Sequence, residues 1–308
     1  MDLADFPYPD PWRFQAHIEV WLLVVALVAA WLYAVRVIGP RVVPAGTPIL
    51  TRTQKVSFVG AMVLLWLSSD WPVHDIAEEY LYFVHMLQHM SLTYFMPPLA
   101  LAATPTWLMR VIVGEGRVYA TVKFLAKPVV AGLLFNVGIM ISHIPGVVNA
   151  SVSNPTLHYA VHVFLVTASL LMWMCVCGPL PELRMGPFPT MIYLFLNSVV
   201  ATVPAGWLTF AEGVVYRLYD GPVRVWGVSV TEDQQIAGAI MKAGGALYLW
   251  SIIVVLFIKQ IAKPYGTQQD YRVEPTLTFD DVTQAFQQST PPAEPVTPSG
   301  TNEPPSRA

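Results

Sequence analysis

The chain has 308 residues, 55% hydrophobic and 12% charged, with a formal net charge of −3. Soluble domains carry roughly 25% charged residues, so this composition excludes an ordinary water-soluble globule and implies membrane lipid as the main partner. No basic run dense enough for a nucleic-acid footprint occurs, so nucleic acid is not expected as a partner.

Residues 1–17 read as an extracytoplasmic segment. The opening MDLADFPYPDPWRF places three aspartates ahead of its first basic residue, the reverse of a signal-peptide n-region. About seven apolar stretches of membrane-spanning length follow. They are Val20–Ile38, Val56–Trp71, Tyr80–Ala102, Val129–Val147, Leu157–Cys177, Met191–Phe210 and Ile236–Ile258. The expected fold class is all-α, a polytopic bundle of about seven transmembrane helices over residues 18–260. Arg36, Arg41, Arg52 and Lys55 follow the first stretch, and Arg110, Arg117, Lys123 and Lys127 the third. Arg184 follows the fifth, and Lys259 and Lys263 the seventh, whereas loops 72–79 and 148–156 hold no Lys or Arg. Positive residues stay inside, which predicts the N-terminus outside, the C-terminus inside and a plasma-membrane location. Arg217 and Arg224 in the loop near 211–235 run against this pattern.

Pro97-Pro98, Pro145 and Pro204 are expected to kink or end their helices, with hydroxyls or neighbouring helices taking up the freed carbonyls. Cys175 and Cys177 sit at the inner end of the fifth stretch. Two apart on a helix they point to nearly opposite faces, and they read as small buried apolar residues rather than a disulfide or chelate. From Pro264 the composition turns to Pro, Ser, Thr and Glu, which predicts a disordered cytoplasmic tail over 264–308 with a weak helical stretch near Phe279–Gln288.

The histidines carry the chemistry. All seven fall on the side assigned to the outside. His85 and His89 are i and i+4 on the third stretch, as are His158 and His162 on the fifth. Each pair shares a face, with Cβ atoms roughly 6 Å apart, and two such helices side by side present four imidazoles to one point. Tyr82, His85, His89, Thr93 and Met96 fall within about 80° of arc, with Met86 and Met90 on the neighbouring stripe; His158, His162, Ser169 and Trp173 share a face. A lone intramembrane histidine is usually a hydrogen-bonded packing residue, but two i,i+4 pairs on one side favour a functional site. Imidazole suits copper, zinc and iron, and thioether favours Cu(I). A His-rich, Met-flanked stripe therefore points to copper, with haem as the less favoured alternative. The methionines, including Met86 and Met96, also read as plain core.

Asp70 ends the second stretch four residues before His74, and Asp233 opens the seventh. Either serves as a ligand, a partner orienting an imidazole, or a carboxylate favoured by a helix dipole. Lys242 pairs with a carboxylate or snorkels. Asn136 and Asn197 are expected to hydrogen-bond between helices. The residues between His85 and His89 are Met-Leu-Gln, so no zinc-protease motif is present, and catalysis is not expected.

Asp70 with His74, HMLQHM running into MPPLALAATP, NPTLHYAVHVFLVTASLLMW (154–173) and DQQIAGAIM (233–241) together resemble the CtaG family of cytochrome c oxidase assembly proteins, over about residues 50–258. The resemblance implies a seven-helix membrane fold without catalysis and a role in supplying copper to the buried copper centre of a haem-copper oxidase. It implies subunit I of the oxidase or another assembly factor as partner, with homo-oligomerisation left open. Its motif residues are His85, His89, His158, His162, Asp70, His74 and Asp233. The alternatives are a haem-binding electron-transfer cytochrome and a copper transporter.

Overall fold

The structure, a computed structural model, describes residues 10–270, with side chains through residue 262. Residues 271–308, on which most of the expected tail and the stretch near Phe279–Gln288 fall, lie outside the described residues, as do residues 1–9. The chain divides into two compact units, Met1–Lys259 and Gln260–Ala308. In the second, the described residues are helical to Asp270. All that follows concerns the first.

Every described element is helical. We number the helices α1 (Ile18–Val42), α2 (Arg52–Ser69), α3 (Val73–Glu79), α4 (Tyr82–Ala103), α5 (Thr106–Val113), α6 (Arg117–Leu125) and α7 (Pro128–Ser142). Then come α8 (Pro145–Ser153), α9 (Pro155–Cys177), α10 (Pro187–Thr209) and α11 (Val230–Ala262). On length and composition α1, α9, α10 and α11 can each cross a membrane alone. The pairs α2/α3, α4/α5 and α6/α7, bent by 43°, 98° and 69°, pass the same test together, giving seven spans if each pair is one. Large side chains stay exposed along the apolar helices, such as Val129 (73%) and Leu247 (73%). That is a surface suited to lipid rather than water, and the chain is a multi-pass membrane protein.

Two segments expected as loops are largely helical: 72–79 holds α3, and 148–156 takes in the end of α8 and the start of α9. The fourth stretch ends at Ser142 rather than Val147, because Pro145 opens α8 at its first turn, where a missing N–H costs nothing. Thr51 with Gln54 and Ser229 with Glu232 form capping boxes at the starts of α2 and α11.

α4 is the central helix, packing on α2, α9 and α11. α9 packs on α7, α7 on α10 and α10 on α11, which closes a circuit back to α4, and α1 lies on α2. Tyr82, Phe135, Leu165, Trp173, Tyr216 and Leu249 are among the core residues. Asn136 of α7 donates to the Asn197 side chain of α10 at 2.7 Å, the interhelical bond expected from the sequence.

The proline pair in α4 shows how the helix is fastened. Pro97 has no N–H to give the carbonyl of Thr93. That carbonyl instead accepts the Ser169 hydroxyl and the Trp173 indole N–H (3.1 Å) from α9. Just before the prolines, Ser91–Phe95 winds as a π turn, with the Met96 N–H reaching back to the Ser91 carbonyl. The wide turn takes in one residue more than an α turn, so side chains beyond it are rotated off the preceding stripe.

Candidate metal centre

Both histidine helices begin at well-satisfied caps. In α9 the Asn154 side chain accepts the N–H groups of Thr156 (3.1 Å) and Leu157 (3.2 Å), and Pro155 fills the first helical position. α4 is capped from across the bundle. Asp233 of α11, fully buried, accepts the backbone N–H of Tyr82 (3.0 Å) and Phe83 (2.8 Å). A carboxylate at a helix N-terminus meets unpaired donors and the positive end of the dipole. The Arg224 guanidinium stands 3.6 Å from it and also donates to the carbonyls of Tyr219 and Val228.

These caps, with the Thr93 fastening, bring the two histidine pairs face to face. Ring centroids are 4.4 Å apart for His85–His89 and 4.3 Å for His158–His162. Across the gap His89–His162 is 4.7 Å, His85–His162 5.9 Å and His85–His158 6.0 Å. Glu78, in the last turn of α3, joins them. Its Oε1 lies 3.0 Å from His85 Nδ1 and 3.2 Å from His158 Nε2. As a carboxylate it accepts from both N–H groups, leaving the lone pair of His85 on Nε2 and that of His158 on Nδ1. The Ser151 hydroxyl of α8 is 3.3 Å from the latter.

Two ligand sets result. His85, His89 and His162 bring ring nitrogens within 4.8 Å of one another, and Glu78, His158 and His162 do the same with their ligand atoms. The sets share His162, whose Nε2 is buried without a hydrogen bond. A cavity of about 20 Å³ lies among these histidines, with Met86 and His143 also on its wall. That volume suits a single ion or water.

The remaining sequence candidates are placed elsewhere. Met96 is turned by the π stretch toward Ala61 and Leu92, away from the cavity. Asp70 accepts the indole N–H groups of Trp21 (2.7 Å) and Trp66 (2.8 Å) on one oxygen, and so holds α1 to α2. Asp233 is engaged as the cap of α4. His74 lies on α3 beside His17 and Asp75, in a separate group. Lys242 is exposed. Cys175 is buried, with its thiol 3.1 Å from the Met172 carbonyl.

Glu78 and His143 are residues of this site that sequence reasoning misses. The run HDIAEEY gives no periodic signal, because the bend before α3 and the turn at residues 80–81 decide which carboxylate faces α4. His143 had only its position as signal. Its Nδ1–H donates to the Ile139 carbonyl at 2.7 Å, which leaves Nε2 as a buried acceptor without a partner.

No curated protein and no solved structure matches the chain. The family model of the cytochrome c oxidase caa3 assembly factor (Caa3_CtaG) matches residues 29–263, and the chain belongs to that family.

Proposed function

We propose that this assembly factor holds copper at the histidine cluster and supplies it to the membrane-buried copper centre of a haem-copper oxidase. The observation that carries the reading is the pair of three-ligand sets sharing His162, whose four histidines all line an ion-sized cavity. Imidazole binds copper in either oxidation state, and the Met86 thioether adds a preference for Cu(I). An ion exchanging His85 and His89 for Glu78 and His158 would keep His162 throughout, so it can shift position without being released. A cargo site needs that lability, in contrast to a closed cage. The small cavity and closely spaced rings argue against a haem macrocycle between the pairs. In this reading the N-terminus is outside and the C-terminus inside a bacterial plasma membrane. The role is non-catalytic, and the partner is subunit I of the oxidase or another assembly factor.

The test is one preparation and one deletion. Purified protein should carry copper and show no Soret band, and His162→Ala, which breaks both ligand sets, should remove the copper held at the cluster. Stoichiometric iron with a Soret band, or an undiminished copper content in that variant, would overturn the reading. A deletion strain should make oxidase protein that lacks copper; full oxidase activity there would refute the role.

A further inference from the structure

A second group of ligating side chains stands apart from the one just described. His17, ahead of α1, brings Nε2 to 2.5 Å from Asp75 Oδ1, and His74 Nδ1 is 3.3 Å from the same oxygen. The two imidazole centroids are 4.4 Å apart, and ligand atoms of all three residues lie within 4.8 Å of one another. Glu19 Oε1 backs the other nitrogen of His17 at 3.4 Å, the outer-sphere carboxylate that ligating imidazoles commonly carry. Asp75 is buried (4% exposed), yet its Oδ2 makes no hydrogen bond. A buried carboxylate oxygen without a partner is costly, and a cation would satisfy it. Pinning the N-terminal segment to α3 needs one imidazole; the second on the same oxygen is unexplained by that role. His17 lies outside residues 29–263, so family membership does not account for its place beside His74 and Asp75.

A cleft of about 270 Å³ connects the two groups. Its wall includes Glu19 and His74 from this cluster and His158 and His162 from the other. Gln88 lines it too, buried, with Oε1 making no hydrogen bond. These oxygens and nitrogens, with the hydroxyls of Ser69, Tyr159 and Thr167, are the polar footholds along the path.

We propose that His17, His74 and Asp75 form a second metal site, for a divalent first-row ion of the Cu²⁺ or Zn²⁺ class, and that the ion passes from it along the cleft to the histidine cluster. Two imidazoles, one carboxylate and no sulfur suit such an ion better than Cu(I). Calcium and magnesium want a cage of oxygens. The passage is ligand exchange without change of oxidation state. The passage, though not the site itself, rests on the copper reading above.

The test uses full-length, tag-free protein in detergent, stripped with chelator and titrated with Cu²⁺ under equilibrium dialysis and electron paramagnetic resonance. Wild type should hold two ions. His17→Gln with His74→Gln should lose one of them and fill the remaining site more slowly. The variant His85→Gln, His89→Gln, His162→Gln should also lose one ion, and the ion it keeps should show coupling to two imidazole nitrogens. Thermal melts establish that each variant is folded, and the wild-type count and spectrum need no variant. A wild type with a single ion that survives in His17→Gln with His74→Gln would overturn the second site, as would two ions remaining in that variant. Loss of one ion with unchanged filling of the other would overturn the passage. Two ions retained in the triple variant would instead sink the copper reading and leave the second site standing.

Discussion

Glu78 presents one oxygen to two imidazoles from different helices, and so it sets which nitrogen of each carries a proton. Glu78→Gln keeps the shape and one acceptor oxygen but removes the negative charge that holds the two imidazole N–H groups. It should weaken metal binding at the histidine cluster about 10–100-fold, the usual cost of losing a partner that orients ligands, while His162→Ala should abolish binding there, since both ligand sets need that residue. Metal titration of the two variants side by side checks the order. The four paired histidines are legible in the sequence because i,i+4 spacing survives any arrangement of the surrounding helices. Glu78 is not, because its approach to His85 depends on a bend and a turn rather than on helical period. Asp233 is legible only as a carboxylate at a helix start; that the start belongs to α4 and not to its own helix is a tertiary fact. Asp233→Ala strands the Tyr82 and Phe83 N–H groups in a buried setting and should cost about 1–3 kcal/mol, measured as a lower melting temperature in detergent.

At the scale of elements, α4 and α9 are registered by a carbonyl that proline sets free. Ser169 and Trp173 lie two and three turns beyond His162 on the same helix, so their grip on the Thr93 carbonyl fixes how far α9 can slide against α4. Removing both donors by Ser169→Ala with Trp173→Phe should destabilise the protein by about 1–2 kcal/mol, the range for interhelical bonds in membranes. The double change should exceed the sum of the singles, because either donor alone still satisfies the carbonyl; thermal melts of all three variants read this directly. That prolines would hand carbonyls to a neighbouring helix is readable from sequence, and Ser169 and Trp173 already share the face of His158 and His162. The π turn is not readable, and it is why Met96, which a regular helix puts on the histidine stripe, faces α2 instead.

For the whole molecule, the order and rough bounds of the apolar stretches were legible from length and hydropathy alone. The short helices α3, α5, α6 and α8 were not, since hydropathy does not register the bends of 43°, 98° and 69° that set off the first three or the Pro145 start of the last. The side of the membrane is predicted by where the basic residues lie. In a background of Cys175→Ser with Cys177→Ser, Ser153→Cys should react with an impermeant maleimide on intact cells, and Glu115→Cys only after lysis; the reverse pattern would invert the topology. The Asp233 cap has a further meaning for biogenesis. The ribosome delivers α4 long before α11, so the two N–H groups at the start of the histidine helix wait for a carboxylate from the last span. A nascent chain that stops before Ser229 already holds all four paired imidazoles without the cap that seats them. On the proposed function, competence to carry a metal would be deferred until translation and insertion of the bundle are nearly complete.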